Sequence, residues 1–104
     1  MIVWLVGLSG AGKTTIGREL CAALKAEEPA TIFVDGDEMR DVFKYAGEQS
    51  FTVAGRKKNA ERIVEICAWL DRQEINVVCC ILCIFPEILA ANRKRFSRYF
   101  EVFV

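Results

Sequence analysis

Apolar positions fall in two patterns along the chain, continuous short runs and spaced stripes, and each predicts a different element. Residues 2–6, IVWLV, form a continuous run that stops at Gly7, the pattern of a buried strand. From Lys13 to about Ala26 the apolar residues space out, with Ile16, Leu20, Ala23 and Leu24 on one helical face, before Pro29 breaks the pattern. Thr31 to Val34 is a second short strand ending at Asp35. Asp37 to about Phe43 fits a short helix, and Tyr45 to Ala54, with Gly47 and Ser50, fits a loop. A long stripe of Ala60, Ile63, Ile66, Cys67 and Leu70 predicts a helix from about Gly55 to Arg72. Asn76 to Ile84 is the longest apolar run and predicts a strand buried on both faces. Pro86 can open a helix to about Arg98, and Tyr99 to Val104 is a fourth strand.

The resulting order, βαβααβαβ, predicts an α/β fold: a parallel sheet with helices on both faces, in three αβα layers. No repeat, low-complexity tract or internal boundary interrupts it, so residues 1–104 are expected to form one domain. The final strand is apolar, which leaves one sheet face short of a covering helix. We therefore expect that a C-terminal part is missing.

Composition narrows the class. The hydrophobic share is 53%, and 14 basic residues balance 14 acidic ones with no histidine. That balance gives no reason to expect a nucleic-acid partner or a polybasic membrane patch, and no apolar run is long enough to span a bilayer. Five cysteines, an odd number with no secretory signal before them, predict reduced thiols in a cytoplasmic protein. Cys80 and Cys83 have C-x-x-C spacing beside Cys79, but with no second pair and no histidine they read as small core residues. Trp4 and Trp69 are expected in or near the core.

The chemistry begins at Gly7. Gly7-Leu-Ser9-Gly10-Ala11-Gly12-Lys13-Thr14 fits G-x-x-x-x-G-K-[ST], and Thr15 follows it; a strand precedes the string and a helix follows. Glycines let backbone N–H groups turn inward around an anion, and the next helix points its positive end at the phosphates. Lys13 can reach the β- and γ-phosphates, and the Thr14 hydroxyl can ligate Mg²⁺. These residues imply a nucleoside triphosphate with Mg²⁺, and phosphoryl transfer or hydrolysis, without naming an acceptor. The small size and the early second strand favour a small-molecule kinase, and no N-K-x-D string suggests a GTPase. Asp35 and Asp37 lie where the second strand meets a helix, at the crevice end of a parallel sheet. Two carboxylates there can organise a metal and take a hydroxyl proton.

Taken together, WLVGLSGAGKTT, FVDGDEMR, FTVAGRKKNAERI and the terminal FEVFV resemble adenylylsulfate kinases, in order and over essentially the whole chain. That family transfers the ATP γ-phosphate to the 3′-hydroxyl of adenosine 5′-phosphosulfate, in sulfate assimilation. The resemblance implies that Asp35 and Asp37 serve the Mg²⁺ and acceptor-hydroxyl site, with Asp37 the candidate base. It implies that Arg40, Arg56 and Asn59 bind the acceptor nucleotide and that Phe51 stacks on its base. Each has a plainer reading: Arg40 could pair along its own helix, Phe51 could anchor a loop, and Asn59 could be a surface residue. Lys57 and Lys58 read as solvated charges. An uncovered apolar sheet face makes a homodimer a candidate assembly.

The sequence departs from the family pattern in four places. The segment between Arg40 and Phe51 is longer. Gly55 and Lys58 replace an aspartate and a glutamate. Phe85-Pro86-Glu87 replaces a serine–proline–tyrosine string, with Ile88 where an arginine is usual. The chain ends before the lid and the adenine-contacting segment. Two alternatives stay open: a kinase of another modified nucleotide, such as a cytidine nucleotide, or of a small metabolite; and a non-catalytic nucleotide-binding fragment.

Overall fold

The computed structural model describes residues 1–7, 12–44, 52–82 and 85–104. Its elements are β1 (Ile2–Val6), α1 (Lys13–Glu27), β2 (Thr31–Asp35), α2 (Gly36–Val42), α3 (Val53–Asp71), β3 (Asn76–Ile81), α4 (Pro86–Arg95) and β4 (Tyr99–Phe103). The four strands form one sheet in the order β2-β3-β1-β4, and every pairing is parallel. In register, Val3 lies between Val78 and Phe100, and Leu5 between Cys80 and Val102.

Side-chain alternation divides the core into two layers. Val3, Leu5, Val78 and Cys80 meet Cys21, Leu20 and Leu24 of α1 on one face. Ile2, Trp4, Val77, Cys79 and Ile81 meet α3 on the other, with Met39 of α2 and Ile88 and Leu89 of α4 joining them. Helices thus cover both faces, as the element order predicted. All six residues of β3 are buried, which is why its sequence shows no polar alternation. Cys79 and Cys80, adjacent in the chain, enter opposite layers. Cys21, Cys67, Cys79 and Cys80 are all buried and none is in a disulfide. Among the described residues no helix is long and apolar enough to cross a membrane.

Several expectations are corrected. Ile16 and Ala23 are exposed, and the buried stripe of α1 runs through Gly17 and Cys21. The reason is a close approach: a β-carbon on Gly17 would lie 2.2 Å from Cys80 Sγ and 2.9 Å from Phe33 Cε1, so α1 rests on the sheet by its glycine. Trp4 is fully buried, but Trp69 is 56% exposed on the outer face of α3. α3 starts at Val53, not Gly55, because the Thr52 hydroxyl accepts the Gly55 N–H at 3.0 Å and caps it. β3 stops at Ile81 and α4 at Arg95, each short of its predicted end; buried Phe96 then stacks on Tyr99, with ring centroids 5.9 Å apart, and turns the chain into β4. On that edge strand Phe100 and Phe103 are exposed, in keeping with the uncovered apolar strand expected from the sequence.

Candidate active site

The site lies at the carboxyl ends of β1, β2 and β3, where a parallel sheet opens between its helices. Gly12 precedes α1 with φ +82°, a left-handed conformation that a glycine takes without strain. It brings no capping side chain, so the first-turn N–H groups of α1 are offered to the crevice. The Lys13 ammonium folds back and donates to the Gly7 carbonyl at 2.9 Å. Ser9, Gly10 and Ala11 lie outside the described residues, as do Phe51 and Cys83.

β2 delivers two carboxylates with different local tasks. Asp35 ends the strand and caps α2, accepting the Asp37 N–H at 2.9 Å through Oδ1. Asp37, in the first turn of α2, has a side chain 87% exposed and accepts Arg40 Nη1 at 2.5 Å. Arg40 itself is only 8% exposed. Asn59 is buried at 1% exposure and donates from Nδ2 to the Gly36 carbonyl at 3.1 Å.

A cleft of about 390 Å³ joins these groups. Its lining runs from Gly12, Lys13, Thr14 and Thr15 across Asp35, Gly36 and Asp37 to Arg56, with the β3 end, Cys80 to Leu82, as floor. The structure therefore brings together Lys13, Thr14, Thr15, Asp35, Asp37 and Arg56. Arg40 and Asn59 are not in the lining, and Asn59 is no surface residue; both stand behind the Asp35-Gly36-Asp37 turn. Lys57, expected as a free surface charge, pairs with Glu87 at 3.3 Å and links α3 to α4.

Sequence reading missed Cys80 as a wall of this cleft. The signal was available: the longest apolar strand belongs in the sheet centre, so its carboxyl end faces the crevice. Cys80 pairs in register with Asp35, and its thiol donates to the Lys13 carbonyl at 3.4 Å. Burial, aided by the nearby Asp35 carboxylate, pushes that thiol up to about 11. It is a neutral wall at ordinary pH.

The comparison with known proteins is consistent with this geometry. The family described as adenylylsulphate kinase matches residues 1–104. The chain belongs to the adenylylsulphate kinase family. It is 35% identical to the cytidine diphosphoramidate kinase of Campylobacter jejuni, over 99% of this chain and 59% of that one. It is 37% identical to the adenylyl-sulfate kinase of Microcystis aeruginosa, over 98% of this chain and 55% of that one. It superposes on the Mycobacterium tuberculosis APS kinase CysC in complex with AMPPNP and APS with a TM-score of 0.78 at 29% identity, over 98% of this chain and 60% of that one. The chain thus spans less than two thirds of the length of these adenylylsulphate kinase family relatives.

For a member of this family the donor set also suits Mg²⁺. Thr14, Asp35 and Asp37 offer a hydroxyl and two carboxylates, all hard oxygen donors in one cleft. Among the described residues no cluster of three or more histidine, cysteine or acidic side chains forms a metal cage.

Proposed function

We propose that this cleft transfers the γ-phosphate of ATP to a hydroxyl of a nucleotide carrying a modified 5′-phosphate, with residues 1–104 acting as one kinase domain. The observation that carries the reading is the single cleft that sets the Gly12–Thr15 segment opposite Asp35 and Asp37. The N–H groups at the start of α1 and the Lys13 ammonium bind the β- and γ-phosphates. Thr14 with Asp35 and Asp37 would hold Mg²⁺, which neutralises phosphate charge during transfer. Asp37, exposed at the mouth, takes the acceptor hydroxyl proton as that oxygen bonds to phosphorus and ADP leaves. Arg56 supplies a guanidinium on the acceptor side, suited to an anionic phosphate or sulfate group.

Family membership makes adenosine 5′-phosphosulfate the first acceptor to test. A second reading, a cytidine nucleotide with an amidated diphosphate, is favoured by the similarity to the Campylobacter jejuni enzyme. The changed Phe85-Pro86-Glu87 string, with Glu87 tied to Lys57, supports it on the acceptor side. The test is ADP release with MgATP and each acceptor in turn. Acceptor-dependent release with either assigns the substrate. ATP binding without release on any acceptor refutes the kinase reading and leaves a nucleotide-binding module.

A further inference from the structure

We infer that Cys80 is a positioning residue, whose thiol fastens the first turn of α1 to the sheet and so sets where Lys13 and Thr14 stand relative to Asp35. The inference rests on the proposed nucleotide site and deepens it, by naming a group that shapes the site without touching a ligand.

Cys80 stands where three elements meet. Within the sheet it lies in register between Leu5 of β1 and Asp35 of β2. Alternation along β3 sends its side chain into the α1 layer, among Val3, Leu5, Val78 and Cys21. There the thiol donates to the Lys13 carbonyl at 3.4 Å. Helix geometry pairs that carbonyl with the Gly17 N–H, and its second lone pair is left for the thiol. One turn on, Gly17 carries no β-carbon, and any β-carbon there would collide with the same sulfur. A single side chain thus bonds the first turn of α1 and limits the approach of the second. The tether falls at a helix start whose cap residue, Gly12, brings no side-chain hydrogen bond. A helix moves as a unit, so a shift of its first turn carries the Lys13 ammonium, the Thr14 hydroxyl and the offered N–H groups together, while Asp35 stays with β2. Displacements of about 1 Å are enough to impair a site of this kind. Cys80 itself is 2% exposed, so it acts through Lys13 and not on a bound phosphate.

Serine and alanine separate this role from plain packing. The two are close in size and both are smaller than cysteine, but only serine can donate to the Lys13 carbonyl. If Cys80 merely fills space, Cys80→Ser is the worse variant, because it buries a hydroxyl for no gain. If its bond positions α1, Cys80→Ser is the better one. The measurement is MgADP affinity by titration calorimetry, with the melting temperature beside it. Cys80→Ala is expected to weaken MgADP about fivefold, and Cys80→Ser to stay within about twofold of the wild type. Val78→Ala, which removes packing from the same layer, should lower the melting temperature with MgADP affinity within about twofold. Cys80→Ser binding MgADP no better than Cys80→Ala overturns the inference, as does Val78→Ala binding as weakly as Cys80→Ala. Should Cys80→Ala not fold, Cys80→Val supplies the comparison without a donor. If the wild-type chain binds no nucleotide, the proposed function falls separately. The inference is then decided by amide hydrogen exchange at Ile16 and Gly17, in the opening turns of α1. Exchange about fivefold faster in Cys80→Ala, and restored in Cys80→Ser, sustains it; equal exchange in the two variants overturns it.

Discussion

Gly17 is where helix packing and helix propensity disagree, and Gly17→Ala puts a number on the disagreement. Propensity alone favours the change, since alanine in a helix interior gains roughly 0.5–1 kcal/mol over glycine. Packing opposes it. The new methyl would lie 2.2 Å from Cys80 Sγ and 2.9 Å from Phe33 Cε1, and no real β-carbon sits that close to either. Cys80 cannot swing aside, because it is buried and its thiol is bonded to the Lys13 carbonyl. Relief must come from lifting α1 off the sheet, and overpacking of this kind costs about 1–3 kcal/mol. Packing wins, for a net loss of roughly 1–2 kcal/mol and a fall in melting temperature of about 5–10 °C. Thermal and urea unfolding followed by circular dichroism measure it. Because α1 also carries Lys13, Thr14 and Thr15 into the cleft, ADP affinity should fall with stability. Adding Cys80→Ala removes the nearer clash and should restore part of both. A Gly17→Ala protein that melts at or above the wild type, or a double variant with no recovery, refutes the close-packing argument.

The other predictions concern the site, the cap and pH. Lys13→Ala and Asp37→Asn should each lower ADP release by roughly a hundredfold or more, with folding retained in melting curves. Thr52→Ala removes the cap of α3 and should cost about 1 kcal/mol in urea unfolding, whereas Thr52→Ser should cost only a few tenths. Stability should also decline in mild alkali. The Cys80 thiol ionises near 9 when unfolded and near 11 when folded, so between those values the unfolded chain sheds a proton that the folded one keeps. Unfolding is then favoured as pH rises, by less than about 3 kcal/mol, and Cys80→Ala should flatten that part of the profile. Tyr99, whose hydroxyl is also pushed up by burial, adds to the loss above its own ordinary range.

Local patterns were legible where the sequence states them locally. Residues 2–6 are the first strand to the residue, because a continuous apolar run ending at a glycine admits few readings. The strand that ends before Gly7, the helix that starts at Lys13, and the two-faced burial of β3 follow from patterns just as local. Orientation about a helix axis was harder. Ile16 and Gly17 are neighbours, and a hydrophobicity count selects the isoleucine, yet sheet contact selects the residue with no side chain. Trp69 was expected in or near the core, but the buried stripe of α3 passes beside it through Cys67, Ala68 and Leu70. The candidate site behaved alike. Lys13, Thr14, Asp35 and Asp37 line one cleft. Arg40 and Asn59 converge on the same turn from behind, and only the packing of α3 against α2 reveals which side of the carboxylates they occupy.

The strand order has a consequence for how the chain is made. β1 is second to leave the sheet edge, yet its partners come late: Ile2 pairs with Val77 on one side and with Tyr99 on the other. At ordinary rates of synthesis, Tyr99 follows Ile2 by about 5–20 s. Until Val77 is made, IVWLV, apolar and rich in β-formers, has no native neighbour on either edge, and until Tyr99 follows one edge remains unpaired. Helix α1 forms from local contacts and can shield one face of it, but the backbone edges stay open. The segment that leads into the candidate cleft is therefore translated before both of its strand partners, and the nascent chain is most exposed to mispairing there.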